Sequence, residues 1–214
     1  MENCPNCNRT LKDGILSNSK IISSEKTALI NEYSEKKSDS YCRKCGKKLY
    51  ESARSKLIEE KEKLIRKLEP QISIIPIIST HSPLNWDYDI FELVTAQTTT
   101  GTGFISDFTS SFADIFGTQS GTYNKKIKAG ENKCKTQLRK QALDLGANAI
   151  IATDIDYAEV GGLKGMLMVC MTGTAVKLKN IEVLGNGRSE NIEKVLSLNE
   201  RLLHLAKFKI DEFY

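Results

Sequence analysis

The chain has 214 residues, of which 40% are hydrophobic and 27% charged, and a formal net charge of +4. This length is enough for one sizeable hydrophobic core and a small satellite domain. Residues 1–70 hold 16 Lys and Arg against 11 Asp and Glu, and the remainder holds 15 against 16. The positive excess of the first part is too small for a sequence-specific nucleic-acid-binding protein. No apolar run is long enough to span a bilayer and no apolar leader precedes Cys4, so we expect a cytoplasmic protein.

Four cysteines near the start of the chain form two Cys-x-x-Cys pairs, Cys4/Cys7 and Cys42/Cys45. Four thiolates complete the tetrahedral coordination of Zn²⁺ and leave no position open, so the pattern predicts a structural zinc site rather than a catalytic one. Pro5 and Asn6 lie within the first pair and Gly46 follows the second. These residues are typical of turns whose backbone N–H groups point at the sulfurs.

Two disulfides, a redox-active dithiol and an iron–sulfur centre are the alternatives for these cysteines. Thiols stay reduced in the cytosol, and the ligand type and spacing favour zinc. Between Cys7 and Cys42 lie 34 residues, more than the roughly 15–20 of compact zinc ribbons. An additional element must therefore pack beside the site, and a helix over residues 24–33, capped by Ser23 or Ser24, fits this role.

Helices and strands are predicted in turn along the next part of the chain. A charged helix over residues 49–68 has apolar residues at three- and four-residue offsets, ends before Pro70, and is interpreted as a linker. The β-branched stretch of residues 72–78 and the segment 89–98 are predicted strands. A helix follows over residues 105–116, where phenylalanines at helical spacing indicate core packing.

The segment from Thr98 to Gly103, just before that helix, is rich in threonine and contains Gly101 and Gly103. Such glycines suggest a phosphate-binding loop, but a third glycine and a Gly-Lys-Ser/Thr ending are lacking. We interpret Gly101 and Gly103 as residues whose lack of a side chain leaves space for the backbone in a strand-to-helix turn. Binding of a small ligand at this turn is the alternative.

The second half of the chain predicts a long helix and a β-hairpin. The helix covers residues 123–145, with Cys134 at an apolar position where it serves packing and with Gly146 as its left-handed end. Strands over residues 148–157 and 166–177 follow, joined by a glycine-rich loop.

The chain ends with a predicted amphipathic helix over residues 189–213, whose wide apolar stripe needs a partner surface. His204 lies beside that stripe and His81 stands apart from it. No nucleophile with an adjacent base can be argued from the chain, so we expect a protein without enzymatic activity.

The hairpin carries a resemblance to a known family. Residues 145–157 read Leu-Gly-Ala-Asn-Ala-Ile-Ile-Ala-Thr-Asp-Ile-Asp-Tyr, and residues 165–176 contain Met-Leu-Met-Val and Gly-Thr-Ala-Val. Together with Phe104-Ile-Ser-Asp-Phe and Gly117-Thr-Gln-Ser-Gly-Thr-Tyr upstream, this combination resembles the YbjQ-like family of heavy-metal-binding domains over roughly residues 76–179.

The resemblance implies a small α+β domain, with a helix packed on an antiparallel sheet, that assembles into a ring, expected to be a pentamer. It implies no catalytic residues, because the family has no settled activity. We therefore expect four parts along the chain: a zinc-ribbon-like module (1–48), a linker helix (49–70), the YbjQ-like α+β domain (71–180) and a C-terminal helical extension (181–214).

Asp154 and Asp156 stand two apart on a predicted strand and point to one face, with Glu159 close by. Like carboxylates on one face repel unless a cation or a basic partner compensates them, so they are the candidate for a second cation site. The alternative is that one of them caps a turn or pairs with Lys164 or Lys177.

Met166, Met168 and Cys170 alternate onto one face of the other predicted strand. Soft ligands of this kind suit Cu(I), and buried packing is the alternative that we favour.

These observations favour a non-enzymatic, homo-oligomeric binding or scaffold protein whose structural Zn²⁺ supports a module that recruits a protein partner. Metal sensing or sequestration by the YbjQ-like domain is the first alternative. A ring that binds a small ligand through the turn before the predicted Phe-rich helix is the second.

Overall fold

The computed structural model describes residues 3–11, 20–100, 119–160, 166–185 and 187–213, and only the backbone of residues 100, 119–123, 159, 160 and 166. The chain divides into two compact units. Unit 1 comprises Met1–Lys67 and Arg201–Tyr214, and unit 2 comprises Leu68–Glu200. None of the helices in the described ranges is both long and apolar enough to cross a membrane.

Unit 1 contains the helix α1 (Ser24–Glu32) and most of the helix α2 (Arg43–Leu68). As predicted, α1 is capped by Ser23, whose hydroxyl accepts a hydrogen bond from the N–H of Lys26 at 3.4 Å. Residues at three- and four-residue spacing on α2 face inward because they share one side of the helix. The buried core of this unit consists of Ile22, Leu29, Ile30, Tyr41, Tyr50, Ala53, Leu57 and Leu205.

The start of α2 differs from the prediction. The helix begins at Arg43 instead of residue 49, so that Cys45 and Gly46 lie in its first turns and not in a separate turn. The hydrogen bond from the N–H of Gly46 to the carbonyl of Cys42, 2.7 Å long, shows the helical geometry. Gly46 is needed for close packing, because a Cβ there would lie 2.8 Å from a methyl of Ile22.

Unit 2 is built from a three-stranded antiparallel sheet and a long helix. The strands are β1 (Tyr88–Thr100), β2 (Ala149–Val160) and β3 (Met166–Leu178), in the order β1-β3-β2, and the helix is α3 (Gln119–Asp144). The predicted α+β architecture, with a helix on an antiparallel sheet, is confirmed.

The core of unit 2 lies between α3 and one face of the sheet. Cys134 and Leu138 are fully buried on α3 at four-residue spacing, opposite the alternating strand residues Val169 and Met171. The thiol of Cys134 donates to the carbonyl of Val169 at 3.4 Å, which agrees with the packing role predicted for it. Gly146 adopts a φ of +81° just beyond α3, as expected of a left-handed helix end.

The stretch predicted as a strand over residues 72–78 is only partly extended. Ile72–Ile74 form a 3₁₀ helix, so the prediction is wrong for this part. The buried residues Ile72 and Ile75 are three apart, which matches a tight helical turn and not the two-residue period of a strand. Ile77 then joins the sheet edge through a parallel bridge to Ile150.

The last helix, α4 (Arg188–Ala206), is shorter than predicted and contributes residues to both units. After it the chain continues without helical structure through residue 213. In this part the backbone of Asp211 is hydrogen-bonded to a side chain. The hydroxyl of Tyr50 donates to the carbonyl of Asp211 at 2.9 Å and accepts from the N–H of Asp211 at 3.2 Å. The ring of Phe213 lies 5.6 Å from that of Tyr50.

Several predicted features lie outside the described residues. They are Gly101 and Gly103 of the threonine-rich turn, the predicted helix over residues 105–116, and residues 161–165 of the glycine-rich hairpin loop, together with Lys164.

Candidate metal centre

The four cysteines of the two Cys-x-x-Cys pairs lie together in unit 1. The Sγ atoms of Cys4, Cys7, Cys42 and Cys45 are all within 4.8 Å of one another, and none of the four is in a disulfide. The sulfurs of Cys7 and Cys42 are 3.7 Å apart. A tetrahedron of sulfurs about 2.3 Å from a central Zn²⁺ has edges of about 3.8 Å, so these side chains are spaced to share one ion.

The first pair lies in a tight turn. The N–H of Cys4 donates to the carbonyl of Arg9, and the N–H of Asn8 donates to the carbonyl of Cys4, both at 2.8 Å. Asn8 has a φ of +54°, a left-handed conformation that asparagine tolerates. A bridge between Asn3 and Thr10 closes the base of this turn. The chain thus folds back on itself and presents both sulfurs to the same side.

The second pair lies at the start of a helix. Cys42 forms a bridge with Ile21 and directly precedes α2, and Cys45 lies in the first turn of that helix. Backbone bonds from Ile22 to Tyr41 at 3.1 Å and from Arg43 to the carbonyl of Lys20 at 2.7 Å hold the approach to the helix. The helix predicted between the two pairs is present as α1, and the residues just before it, Lys20 to Ile22, hold the approach to the second pair.

The site is half buried. Cys4 and Cys42 are 0% exposed and pack with Leu11, Cys45 is partly buried, and Cys7 is exposed. Four thiolates around one ion leave no coordination position for water or a substrate, so this geometry suits a structural ion.

The surroundings of Cys4 and Cys42 shift the pKa values of these two thiols in opposite directions. Burial raises the pKa of Cys4, but hydrogen bonds from the backbone N–H groups of Cys42, Asn6 and Cys7 outweigh it and lower that pKa to about 7. N–H groups pointing at the sulfurs were predicted for the turn between Cys4 and Cys7, to which Asn6 and Cys7 belong, and for Gly46, whose N–H instead bonds to the carbonyl of Cys42. Burial and the neighbouring thiols raise the pKa of Cys42 to about 12. One thiolate is therefore ready to bind a cation near neutral pH, and the cation would displace the remaining protons.

The predicted second cation site is not assembled in the same way. Asp154 and Asp156 are exposed, and they pair across the sheet with Thr172 and Cys170. The side chain of Glu159 lies outside the described residues. Within the described ranges, the cysteine cluster alone brings three or more potential metal ligands together.

The remaining predicted residues are dispersed. Met168 and Cys170 are partly buried on β3, and the side chain of Met166 lies outside the described residues. His81 is exposed, and His204 lies in unit 1, where its Nε2 is 3.0 Å from a carboxylate oxygen of Glu32.

An ion-pair network in unit 1 was missed by the sequence analysis. Arg201 contacts Glu60 through Nε at 2.8 Å and Nη2 at 3.1 Å, and its Nη1 pairs with Glu32. The hydroxyl of Tyr33 donates to Glu60 at 2.8 Å. The partners of Arg201 lie 141 and 169 residues away, and no local spacing signal could have linked them.

Comparison with known proteins identifies the family to which the domain in unit 2 is related. A family model described as "Putative heavy-metal-binding", YbjQ_1, matches residues 77–179. The UPF0145 protein of Actinobacillus pleuropneumoniae serotype 5b (strain L20) is 38% identical over 87 residues, which are 41% of this chain and 82% of that protein. The chain belongs to the YbjQ family, UPF0145. The resemblance noted in the sequence is thereby confirmed.

Two further proteins are similar to this chain, a second UPF0145 protein and a solved structure. The UPF0145 protein of Clostridium botulinum (strain Alaska E43) is 37% identical over 84 residues, covering 39% of this chain and 79% of that protein. A crystal structure of a protein of unknown function from Pediococcus pentosaceus is 19% identical, covers 48% of this chain and 96% of that chain, and has a TM-score of 0.35, too low to support a structural argument.

The YbjQ-family match and the cysteine cluster occupy different parts of the chain. The matched residues 77–179 lie within unit 2, whereas all four clustered cysteines lie in unit 1. The heavy-metal description of the family model therefore does not refer to the cysteine centre, which is an addition to the family domain.

Proposed function

We propose that this YbjQ-family protein is a non-enzymatic binding or scaffold protein whose cysteine centre holds one structural Zn²⁺. The observation that carries this proposal is the convergence of four sulfurs within 4.8 Å. Tetrahedral sites with four sulfur ligands are typical of zinc or iron. A multi-iron cluster attaches its thiolates to separate iron atoms, and sulfurs this close together favour a single ion.

Disulfide bonds fit the spacing less well. A disulfide requires sulfurs about 2.05 Å apart, and the sulfurs of Cys7 and Cys42 are 3.7 Å apart. A reduced, cytosolic setting is part of the proposal, because the metal binds thiolates and not disulfides.

Elemental analysis of the purified full-length protein tests the metal. We expect one zinc per chain, and Cys7→Ser should remove most of it. Cys7 is suited to this test because it is exposed, so the substitution leaves the core intact. Cys170→Ser, outside the cluster, is the matched control and should keep the metal. Iron in place of zinc would overturn the identity of the ion, and a metal-free protein with oxidised cysteines would overturn the centre itself.

Self-association is the second part of the proposal, with the pentamer as the expected state. It is supported by apolar side chains on β1, which is an edge strand of the sheet: Ile90 is 66% exposed and Leu93 64%. Isolated soluble domains seldom leave such residues adjacent on a sheet edge. We propose that a second copy of this chain covers them.

Light scattering of the full chain tests this part. The expected mass is five times that of the 23.9 kDa chain, and Ile90→Lys with Leu93→Lys should reduce it to that of the single chain. Thr99→Lys, on the same strand, is a control that should leave the assembly unchanged. A monomeric wild-type protein would contradict the proposal.

Metal sensing by unit 2 is the competing function. It is favoured by the family description and by Asp154 and Asp156, which share one face of β2 and form no ion pair within the described residues. Calorimetry with divalent cations should show weaker binding in the Asp154→Asn/Asp156→Asn variant if this function is correct. Binding equal to wild type would exclude these carboxylates.

A further inference from the structure

The surface around the cysteine centre carries six cationic side chains that the proposed function does not use. All six are exposed, and they lie on the segments that supply the cysteines or pair with those segments: Arg9, Lys20, Arg43, Lys44, Lys47 and Lys48. Arg9 and Lys20 are drawn to the site by backbone bonds to Cys4 and Arg43. We call these six residues the basic rim.

The basic rim has no acidic partners within the described residues. None of its six members takes part in an ion pair there. Glu51, one turn further along α2, forms no such pair with Lys47 or Lys48. The far end of the same helix behaves differently, because Arg66 pairs with Glu62 at 3.5 Å. Among the described residues, Arg43, Lys44, Lys47 and Lys48 thus place four cations without an ion pair within two turns at the end of α2 beside the cysteines.

This arrangement opposes the local stability of α2. The first turn of the helix has no acidic residue and contains Arg43 and Lys44, although cations at a helix N-terminus are disfavoured by the helix dipole. Arg43 and Lys47 are also four residues apart, as are Lys44 and Lys48, and like charges at this spacing repel by roughly 0.2–0.5 kcal/mol per pair. A sequence selected for folding alone would place acids here, so the cations have another use.

Neutralising the metal centre accounts for only part of this charge. Four thiolates and one Zn²⁺ leave −2, and six cations leave an excess of about +4. Unit 1 as a whole holds 19 Lys and Arg against 12 Asp and Glu, whereas unit 2 holds 12 against 15. The excess of positive charge therefore lies in unit 1, the unit that carries the basic rim.

We infer that the basic rim docks an acidic segment of a partner protein, and that the metal centre fixes the rim by holding the turn of Cys4 against the start of α2. The inference rests on the proposed zinc centre and adds the chemistry of its partner. Charge complementarity of this kind directs specificity and rate of association.

An acidic protein segment fits the rim better than a nucleic acid. Single-stranded nucleic acids are held by exposed aromatic side chains on which bases stack, and the rim contains none. The nearby Tyr41 and Tyr50 are only 3% and 2% exposed. Four of the six cations are lysines, whose flexible point charges can follow scattered carboxylates.

Fluorescence anisotropy with the full-length protein tests the inference. The probes are a labelled polyglutamate peptide and a labelled random-sequence DNA duplex of equal net charge. The triple variant Lys44→Gln/Lys47→Gln/Lys48→Gln should bind the peptide about tenfold more weakly than wild type. The control variant Arg54→Gln/Lys56→Gln/Lys63→Gln removes the same charge from exposed positions farther along α2 and should bind like wild type. Zinc content should be unchanged in both.

Each other outcome overturns the inference. No peptide binding by the wild type, or an equal loss in the control variant, means that the rim is not a docking surface. Tighter binding of the duplex than of the peptide, lost in the rim variant, assigns the rim to nucleic acid instead. Zinc-free wild-type protein that still binds the peptide through the rim overturns the proposed metal centre and its role in fixing the rim, while the charged surface itself stands.

Discussion

The ion-pair network of unit 1 allows a quantitative test by Arg201→Met, which removes the guanidinium and keeps an apolar stem. In the wild type, Arg201 forms two hydrogen bonds to Glu60, at 2.8 and 3.1 Å, and one to Glu32. The substitution leaves both carboxylates in place without their main partner. His204 and Tyr33 remain as weaker partners.

The magnitude follows from the burial of the two carboxylates. The side chains of Glu32 and Glu60 are 18% and 30% exposed, and that of Arg201 is 36% exposed. An exposed ion pair is worth at most about 1 kcal/mol, and breaking a fully buried pair costs about 3–5 kcal/mol. Because this pair lies between the two cases, we expect Arg201→Met to lower the free energy of unfolding of unit 1 by about 2 kcal/mol near neutral pH.

The loss should depend on pH. Burial raises the pKa of Glu32, but His204 and Arg201 outweigh it and lower that pKa, and the hydrogen bonds of Arg201 lower the pKa of Glu60. A carboxylate whose pKa is lower in the folded than in the unfolded state stabilises the fold above the unfolded pKa of about 4.3. This stabilisation disappears as the pH falls through the folded pKa. The difference between wild type and variant should therefore be largest near pH 7 and shrink below about pH 4.

Urea titrations followed by the amide resonances of Leu29 and Leu57, both buried in unit 1, measure this difference. Tryptophan fluorescence does not serve, because Trp86 lies in unit 2. Arg54→Met is the matched control, since Arg54 is exposed and forms no ion pair within the described residues. Equal midpoints for the two variants near pH 7, or a loss that persists undiminished at low pH, would refute the reasoning.

Three further predictions concern unit 2. Leu138→Ala should cost about 3 kcal/mol, because Leu138 is fully buried against the sheet, and should lower the Tm followed by Trp86 fluorescence by roughly 10 °C. Gly173→Ala should cost roughly 1–3 kcal/mol in the same melt, because a Cβ there would lie 2.6 Å from a side-chain methyl. Gln141→Ala should speed amide hydrogen exchange at Thr95 about tenfold, because the Gln141 side chain accepts from the N–H of Thr95 at 3.2 Å and donates to its carbonyl at 2.6 Å.

Much of unit 2 could be predicted from the sequence because its signals are local. Alternating residues along β1 and β3 and the four-residue spacing of Cys134 and Leu138 each specify one buried face. Gly146 marks the end of α3 by its conformational freedom. The stretch after α2 was misjudged, because β-branched residues also suit a short 3₁₀ turn when residues three apart are the ones buried.

The number and spacing of the cysteines were enough to predict a cluster of four thiols near the start of the chain. This was possible because metal ligands are specified by residue type and by short intervals in the sequence. Tertiary structure decided that Cys45 reaches the centre from a helix and not from a turn, because the approach to α2 is held by backbone contacts of Ile21 with Cys42 and of Lys20 with Arg43, which no local spacing reveals. It also decided that Arg201 pairs with Glu32 and Glu60, because contacts between residues so far apart in the chain leave no periodic trace in the sequence.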